Sequence, residues 1–308
     1  MKEEIRGSAP CGIFLLDKGE GMTSHTAVSR AARLFGVRQA GHTGTLDPNA
    51  TGLLVVLVGR AVKAAALFPD GEKRYEACLR LGLTSDTEDI WGTLSPRTEP
   101  LPSFEEIART AKERFTGRIL QTPPMVSALK RDGQKLCDLA RRGIAVEREP
   151  REITVNALTV SPTEREDEYA LSVVCSKGTY IRTLCADLGE ALGCGAVMSA
   201  LRRTGTCGFT LEGGAMTLDE LEKTPPEDRA ALLRPVDAAF PSFPAALLPP
   251  FYARLAQSGC EIYQQKIGTS FPAGERVRFY DESGFFAFAE AREYPDGSAL
   301  KPIRLMRL

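Results

Sequence analysis

The stretch that most constrains the fold of this chain is residues 41–54, which read Gly41-His-Thr-Gly-Thr-Leu-Asp-Pro-Asn-Ala-Thr-Gly-Leu-Leu54. It holds one carboxylate, Asp47, and the proline after it biases Asp47 toward an extended or turn conformation. An unbroken apolar run over residues 53–58 follows and is typical of a strand buried on both faces. The pattern predicts one acid on a rigid loop beside a buried strand. Because an aspartate before a proline is also a common turn former, the loop alone does not decide a function.

The composition favours an ordinary globular protein. The chain has 308 residues, 43% of them hydrophobic and 26% charged, with a formal net charge of −1. Its length suffices for one large domain and one small one. No apolar run approaches the ~20 residues of a membrane helix, and the charged first residues do not resemble a signal peptide. We therefore expect a cytoplasmic protein without membrane contact.

The cysteines and histidines argue against a metal site. No two of the eight cysteines form a C-x-x-C pair, and Cys78, Cys175 and Cys185 lie in apolar patterns that predict small buried side chains. The two histidines, His25 and His42, supply few ligands for zinc and few bases for a Ser-His-Asp triad. We expect catalysis without a metal or another cofactor.

Helical and strand patterns interleave without a βαβ rhythm, which predicts a mixed α+β fold with a central sheet. Thr23 or Ser24 and Gly36 mark the ends of a first helix, and Ser103 with Glu106 and Thr217 with Glu220 are each predicted to form a capping box. The predicted helices cover residues 25–35, 60–68, 104–115 and 181–192, and the predicted strands cover residues 53–58, 75–81 and 172–176.

Three parts are predicted along the chain. Residues 1–240 form the main domain, and a proline-rich linker follows over residues 241–250. Short strand-like runs at residues 276–280, 285–289 and 303–308, separated by turn signals, predict a small β-barrel within residues 251–308.

The run at residues 41–54 resembles the catalytic loop of the TruB-type bacterial tRNA pseudouridine synthases. Related families that modify ribosomal RNA place the aspartate in an Arg-Leu-Asp context, so the wording here favours the tRNA branch. The resemblance extends over nearly the whole chain in separate blocks, at residues 12–24, 73–77, 123–133, 177–184 and 201–204.

The resemblance implies a fold and an activity. The fold is a pseudouridine-synthase catalytic domain with a mixed or antiparallel sheet, followed by a PUA-like barrel. The activity is isomerisation of the T-loop uridine of tRNA, conventionally position 55, without a cofactor. Asp47 is the implied nucleophile and Arg182 its cationic partner. The implied role of Tyr75 is to stack on the base and help remove the C5 proton.

The same resemblance implies residues that bind the substrate. His42 is expected to fill the gap left by the extruded base, and Tyr180 and Leu201 are expected to wall the uracil pocket with Tyr75. Lys18 and Lys130 stand in family-like blocks and are also expected to contact the RNA. Without the resemblance, each of these residues is equally typical of a structural role.

A local surplus of basic residues over residues 118–151 resembles the segment that grips the T-arm. Val126 stands where the family commonly has an aromatic residue, Cys137 where it has a tyrosine, and Gly19 where it has a proline. The partner implied is tRNA itself, bound by a monomer that needs no protein partner.

Three alternatives remain open from the sequence. The chain could be an RNA-binding protein that keeps the scaffold without catalysis, although Asp47, Tyr75 and Arg182 are all present. It could be a sugar-bond hydrolase, but such enzymes usually need a pair of carboxylates. It could also perform the same isomerisation guided by a separate RNA and partner proteins.

Overall fold

The computed structural model describes residues 9–68, 71–127, 129–131, 133–144 and 146–307. For Lys130, Arg131 and Lys135 it describes the backbone alone. Within these ranges the chain forms a large mixed sheet covered by helices and a smaller second sheet near the C-terminus.

The strands are β1 (Gly12–Lys18), β2 (Ala40–His42), β3 (Thr51–Val58), β4 (Lys73–Leu81), β5 (Leu83–Ser85), β6 (Leu94–Pro96), β7 (Gly117–Gln121), β8 (Lys130–Arg131), β9 (Gln134–Lys135), β10 (Arg151–Pro162), β11 (Glu168–Cys175), β12 (Ala196–Thr206), β13 (Phe209–Thr210), β14 (Ala245–Leu247), β15 (Ile262–Tyr263), β16 (Arg276–Asp281), β17 (Gly284–Tyr294) and β18 (Gly297–Leu305).

The α-helices are α1 (Ser24–Leu34), α2 (Phe104–Arg114), α3 (Leu136–Arg141), α4 (Ile181–Ala191), α5 (Leu218–Lys223), α6 (Pro250–Gln257) and α7 (Gln264–Ile267). Tighter 3₁₀ helices cover Gly59–Leu67, Leu211–Gly213, Arg229–Leu232 and Val236–Ala239.

The large sheet has the strand order β1-β3-β12-β4-β11-β10-β7, with β2 on β3 and β13 on β12. Its described pairings are antiparallel except for β12 against β3, which is parallel. This one parallel contact brings β12 alongside the start of β3, where the chain leaves the loop that carries Asp47. The predicted α+β class with a mixed central sheet is confirmed.

Local sequence signals fix the helix ends. The Thr23 side chain accepts a hydrogen bond from the backbone N–H of Thr26 and caps α1, as predicted. Thr217 and Glu220 form a reciprocal capping box at α5. The helix predicted over residues 60–68 is present at Gly59–Leu67, in the tighter 3₁₀ form.

Two apolar cores lie on opposite faces of the large sheet. One core packs the sheet against α1, α2, α4 and α5. The other lies behind β1 and β3, where residues of the main sheet meet side chains from the C-terminal sheet. We call four rings in this second core the aromatic cluster: Phe240, Phe243, Phe285 and Phe288.

The C-terminal sheet has the order β14-β16-β17-β18-β15 and forms a curled half-barrel, which is the form that the predicted small barrel takes here. The predicted linker over residues 241–250 needs a correction. Its residues Ala245–Leu247 form β14 and pair with β16, because strand β16 offers free backbone hydrogen-bonding groups on that edge. The polar contact from the Tyr280 hydroxyl to Asp237 Oδ2 further joins the two parts of the chain.

The cysteine prediction holds in part. Cys175 and Cys185 are buried, whereas Cys78 is half-buried, and each of the eight cysteines is a free thiol. In the described ranges no group of three or more His, Cys, Asp or Glu side chains is placed to hold a metal ion. None of the described helices is long and apolar enough to cross a membrane.

Candidate active site

A buried arginine of strand β12 donates hydrogen bonds to the backbone of the loop that carries Asp47. Arg203 lies on β12 and is fully buried. Its Nε donates to the carbonyl oxygen of Leu53 at 2.8 Å, its Nη2 to that of Gly44 at 3.0 Å and its Nη1 to that of Thr45 at 3.3 Å. These carbonyls lie on both sides of Asp47, so one side chain ties the two ends of the loop together.

The middle of the loop is held by a serine of α1. The Ser24 hydroxyl is buried, accepts the backbone N–H of Leu46 at 2.8 Å and donates to the carbonyl of the same residue at 2.9 Å. The carbonyl of Asp47 accepts the N–H of Ala50 at 3.1 Å and closes a turn. The peptide groups around the acid are therefore fixed before any substrate arrives.

Lys18 is a further anchor of the same loop. Its side chain is buried, and Nζ donates to the carbonyl of Pro48 at 2.9 Å and to those of Gly19 and Met22 at 2.8 and 3.0 Å. Burial lowers the pKa of Lys18 to about 8, against the opposing effect of the Asp47 charge. Because an ammonium has three donors and all three face backbone carbonyls, this structure shows Lys18 supporting the loop and leaves its predicted RNA contact without a free donor.

The carboxylate of Asp47 pairs with Arg182, as predicted. Arg182 Nε lies 3.0 Å from Asp47 Oδ2; the arginine side chain is 4% exposed and that of the aspartate 42% exposed. The cation is thus fixed inside the protein, while much of the carboxylate is exposed to solvent. The guanidinium stabilises the carboxylate charge and sets its orientation.

Arg182 is fixed by contacts on its other edges. Nη1 donates to the carbonyl of Thr87 at 3.0 Å and Nη2 to that of Val126 at 2.9 Å. Asp89 Oδ2 lies 3.7 Å from Nη1, and Asp89 is itself held by the Thr87 hydroxyl at 2.6 Å and the N–H of Trp91 at 3.1 Å. A solvent-facing helix position, which the sequence alone would favour, is excluded for Arg182.

Five of the predicted site residues line one cavity of about 240 Å³. They are Asp47, Tyr75, Tyr180, Arg182 and Leu201. The cavity is smaller than pockets for drug-sized ligands and suits a single planar base. A larger cavity of about 860 Å³ lies beside Cys11 and Arg307, and its described lining includes none of the predicted site residues.

Tyr75 lies on β4 between two strands, opposite Val173 on β11 and Arg203 on β12. Its side chain is buried, and this burial raises the pKa of the phenol, with the Arg203 charge acting in the opposite direction. The ring therefore presents a neutral hydroxyl to the cavity near neutral pH.

Tyr180 sits immediately before α4 and is fixed by a glutamine of β7. The backbone N–H of Tyr180 donates to Gln121 Oε1 at 2.8 Å, and Gln121 Nε2 donates to the Tyr180 carbonyl at 3.0 Å. Burial raises the pKa of the Tyr180 phenol. Because α4 also carries Arg182, this glutamine fixes the start of the helix that delivers the cation.

His42 is not among the described residues that line the cavity. His42 ends β2 opposite Val56, and its Nδ1 is buried with no hydrogen-bond partner in the described part of the chain. Burial, followed by the charges of Arg203 and His25, lowers the pKa of His42, so a neutral imidazole is favoured. Lys130 begins β8, but its side chain lies outside what the structure describes.

Sequence reasoning missed the supporting residues Ser24, Asp89, Gln121 and Arg203. Ser24 was predicted only as a possible helix cap, and Arg203 stood in a family-like block without an assigned role. An arginine on a strand is usually exposed, and no local pattern distinguishes one that turns inward. Asp89 and Gln121 lie far from Arg182 and Tyr180 along the chain, so only the folded contacts reveal them.

Two family models match the sequence of this chain. A model described as "TruB family pseudouridylate synthase (N terminal domain)" matches residues 32–181, and one described as "tRNA pseudouridylate synthase B C-terminal domain" matches residues 182–241. The class of protein is that of the pseudouridylate synthases, which are isomerases. With these matches over more than half of its length, the chain belongs to the TruB family.

Two similar proteins align with this sequence over nearly the full chain. The tRNA pseudouridine synthase B of Burkholderia pseudomallei (strain 668) is 43% identical over 298 residues, covering 96% of each chain. That of Ralstonia nicotianae is 45% identical over 304 residues, covering 96% of this chain and 94% of its own.

Solved structures agree in fold. The crystal structure of a Cbf5-Nop10-Gar1 complex matches with a TM-score of 0.71 at 24% identity, over 99% of this chain and 88% of that one. An H/ACA RNP bound to a substrate RNA matches with a TM-score of 0.70 at 22% identity, over 100% and 88%. At these identities the likeness supports the α+β fold and its C-terminal sheet.

Proposed function

We propose that the protein converts the T-loop uridine of tRNA, position 55 by convention, to pseudouridine, with Asp47 as the nucleophile. The observation that carries the proposal is the pairing of Asp47 with the buried Arg182 at 3.0 Å in a cavity of nucleobase size. The named relatives act on tRNA, which supports the choice of substrate.

The reaction breaks the bond between N1 of uracil and C1′ of ribose, rotates the base and joins C5 to C1′. The proton on C5 leaves and N1 gains one, so the product is an isomer. Asp47 supplies the nucleophile for a covalent intermediate. Arg182 holds the carboxylate in one orientation, and Tyr75 lies in the same cavity to stack on the base and take part in removing the C5 proton.

A uridine within folded RNA must leave its stack to reach this cavity. Tyr180 and Leu201 form walls for the extruded base, and both line the cavity with Asp47. His42 lies on the strand that precedes the catalytic loop, and a neutral imidazole there can stack in the space the base vacates.

The remaining assignments belong to the same proposal. Residues 118–151, including Lys130, grip the T-arm through phosphate contacts, and residues 1–240 and 251–308 are the catalytic and PUA-like domains. The chain acts as a monomer that needs no protein partner and no cofactor. A hydrolytic outcome is disfavoured because, among the described residues that line the cavity, Asp47 is the sole carboxylate.

The test uses an unmodified T-arm stem-loop labelled with tritium at C5 of uracil. We expect the purified chain alone to release tritium without releasing free uracil. The Asp47→Asn variant keeps the shape of the side chain but loses the nucleophile, so its rate should fall by about 10⁴-fold or more.

Binding of the labelled RNA to both proteins is measured in parallel as a control for folding. If the wild type bound the RNA tightly without releasing tritium, the protein would be either a non-catalytic RNA-binding protein or an enzyme that needs a guide RNA and partner proteins. Free uracil among the products would show a hydrolase. Equal rates for the wild type and the Asp47→Asn variant would remove Asp47 from the chemistry.

A further inference from the structure

We propose that Arg203 is a positioning residue for this reaction: it fixes the backbone of the catalytic loop so that Asp47 is held in register with Tyr75. The inference deepens the proposed function and rests on Asp47 being the nucleophile. Arg203 does not line the cavity and acts through the loop.

The first observation in support is the set of groups to which the Arg203 guanidinium donates hydrogen bonds. All three guanidinium nitrogens donate to carbonyls of the loop and of the strand that follows it, at Gly44, Thr45 and Leu53, and no carboxylate of the described residues pairs with Arg203. A buried cation carries a large desolvation penalty, and an ion pair is the usual compensation. Three hydrogen bonds to carbonyls offset this penalty only in part, so Arg203 contributes little to the stability of the fold. Their directions do restrict the loop to one conformation.

The second support is the approach of the two backbones. Gly52 lies opposite Arg203 in the single parallel contact between β3 and β12, with φ at +98°. A Cβ on Gly52 would lie 2.3 Å from the Arg203 carbonyl oxygen, so no larger residue fits without movement. Main chain and side chain of Arg203 therefore contact the same end of the loop.

The third support is the link to Tyr75. Arg203 and Tyr75 are direct partners across the antiparallel strands β12 and β4. The same residue thus touches the base-stacking tyrosine on one side and the loop of the nucleophile on the other. A displacement of about 1 Å between reacting groups can cost on the order of 10²-fold in rate, so this link matters for chemistry.

The test compares single-turnover rates on the T-arm stem-loop for the wild type, Arg203→Lys and Arg203→Met. A lysine keeps the charge but cannot span the three carbonyls, and a methionine keeps only the apolar stem. We expect the rate to fall by about 10²-fold in Arg203→Lys and further in Arg203→Met. The Kd for RNA should stay within about threefold, since phosphate contacts are untouched.

Arg202 is the matched control, because it is the neighbouring arginine on the same strand. Its side chain is 40% exposed, pairs with Asp17 at 2.6 Å and donates to the Thr51 hydroxyl at 3.4 Å, and its described contacts include none of the three carbonyls that Arg203 holds. Arg202→Lys should leave the single-turnover rate within about twofold of the wild type. An equal rate loss in the Arg202 and Arg203 variants would show a general effect of strand damage and overturn the proposal.

A measurement on the wild type needs no variant to fold. The Nε–H of Arg203 should give a slowly exchanging NMR signal in the free protein, because it is buried and bonded to Leu53. Rapid exchange would overturn the proposal. A wild type that is inactive on RNA would instead refute the proposed function, whereas an active wild type with an equally fast Arg203→Lys variant would refute this inference alone.

Discussion

The catalytic loop and the junction with the C-terminal sheet are held together by opposite means. The loop depends on single polar contacts from Lys18, Ser24 and Arg203 to its backbone. The junction depends on the aromatic cluster, in which the rings of Phe240 and Phe288 lie 4.7 Å apart, edge to face. Directional bonds fix one geometry, whereas apolar burial contributes free energy with little direction.

This difference predicts two separable classes of variant. Changes at the junction should lower the free energy of unfolding and spare the reaction at temperatures where the protein is folded. Changes at the anchors of the active site should slow the reaction more than they destabilise the fold. Variants of both kinds that lowered the free energy of unfolding and the rate in the same proportion would contradict this difference.

The largest expected effect on stability is at the aromatic cluster. Phe288 is fully buried and contacts three other rings, so Phe288→Ala removes a large apolar side chain and leaves a cavity. The free energy of unfolding should fall by about 3–5 kcal/mol, measured by urea denaturation. The single-turnover rate of the folded variant at low temperature should match the wild type.

Phe251, which is 58% exposed on α6, provides the control for this experiment. Phe251→Ala should change the free energy of unfolding by no more than about 0.5 kcal/mol. If Phe288→Ala slowed the chemistry of the folded protein as strongly as a loop variant does, the junction would be part of the catalytic machinery.

Among the variants that keep Asp47, the largest loss of rate is expected for a substitution of Arg182. Arg182→Gln leaves Asp47 without its cation, so the single-turnover rate should fall by about 10²–10³-fold. The free energy of unfolding should fall less than in Phe288→Ala, which thermal melts of both variants would check. Arg165, an exposed arginine paired with Asp167, is the control. Arg165→Gln should change the rate by no more than about twofold.

A smaller effect is expected from pH. Burial lowers the pKa of Lys18 to about 8 in the folded protein, with the charges of Asp47 and Glu20 acting in the opposite direction and that of Arg203 in the same direction. As the pH rises above about 8, Lys18 loses one donor to the loop, and the single-turnover rate should fall roughly fivefold, the worth of one hydrogen bond of about 1 kcal/mol.

The effect of Lys18 on stability has the opposite sign to its effect on rate, so a loss of rate above pH 8 cannot come from unfolding caused by this group. Unfolded Lys18 keeps its proton up to its ordinary pKa of 10.5, so between about 8 and 10.5 the unfolded state binds more protons and this group makes stability rise with pH. Lys18→Met should lose the alkaline limb of the pH–rate profile. A limb that persists in Lys18→Met would assign it to another group.

Much of the fold was predictable because its signals are local. The apolar run over residues 53–58, the cap at Thr23 and the capping box at Thr217 are set by neighbours in the sequence, and the structure has them where predicted. The strand at Ala245–Leu247 was not predictable, because its pairing with β16 depends on the placement of a distant segment.

The candidate site shows the same division. Asp47, Tyr75, Arg182, Tyr180 and Leu201 were identified through family-like blocks, and the structure brings them into one cavity. Arg203 could not be found, because its role depends on a side chain turning inward beneath a loop about 150 residues away in the chain. The predicted roles of these residues in chemistry remain proposals.

The most direct test of the account is to treat an unmodified full-length tRNA with the purified chain alone and map pseudouridine at single-nucleotide resolution by carbodiimide labelling and primer extension. The account predicts one modified position, the T-loop uridine, which is absent after treatment with the Asp47→Asn variant. RNA that is bound but unmodified, or a modification at another uridine that survives Asp47→Asn, would contradict it.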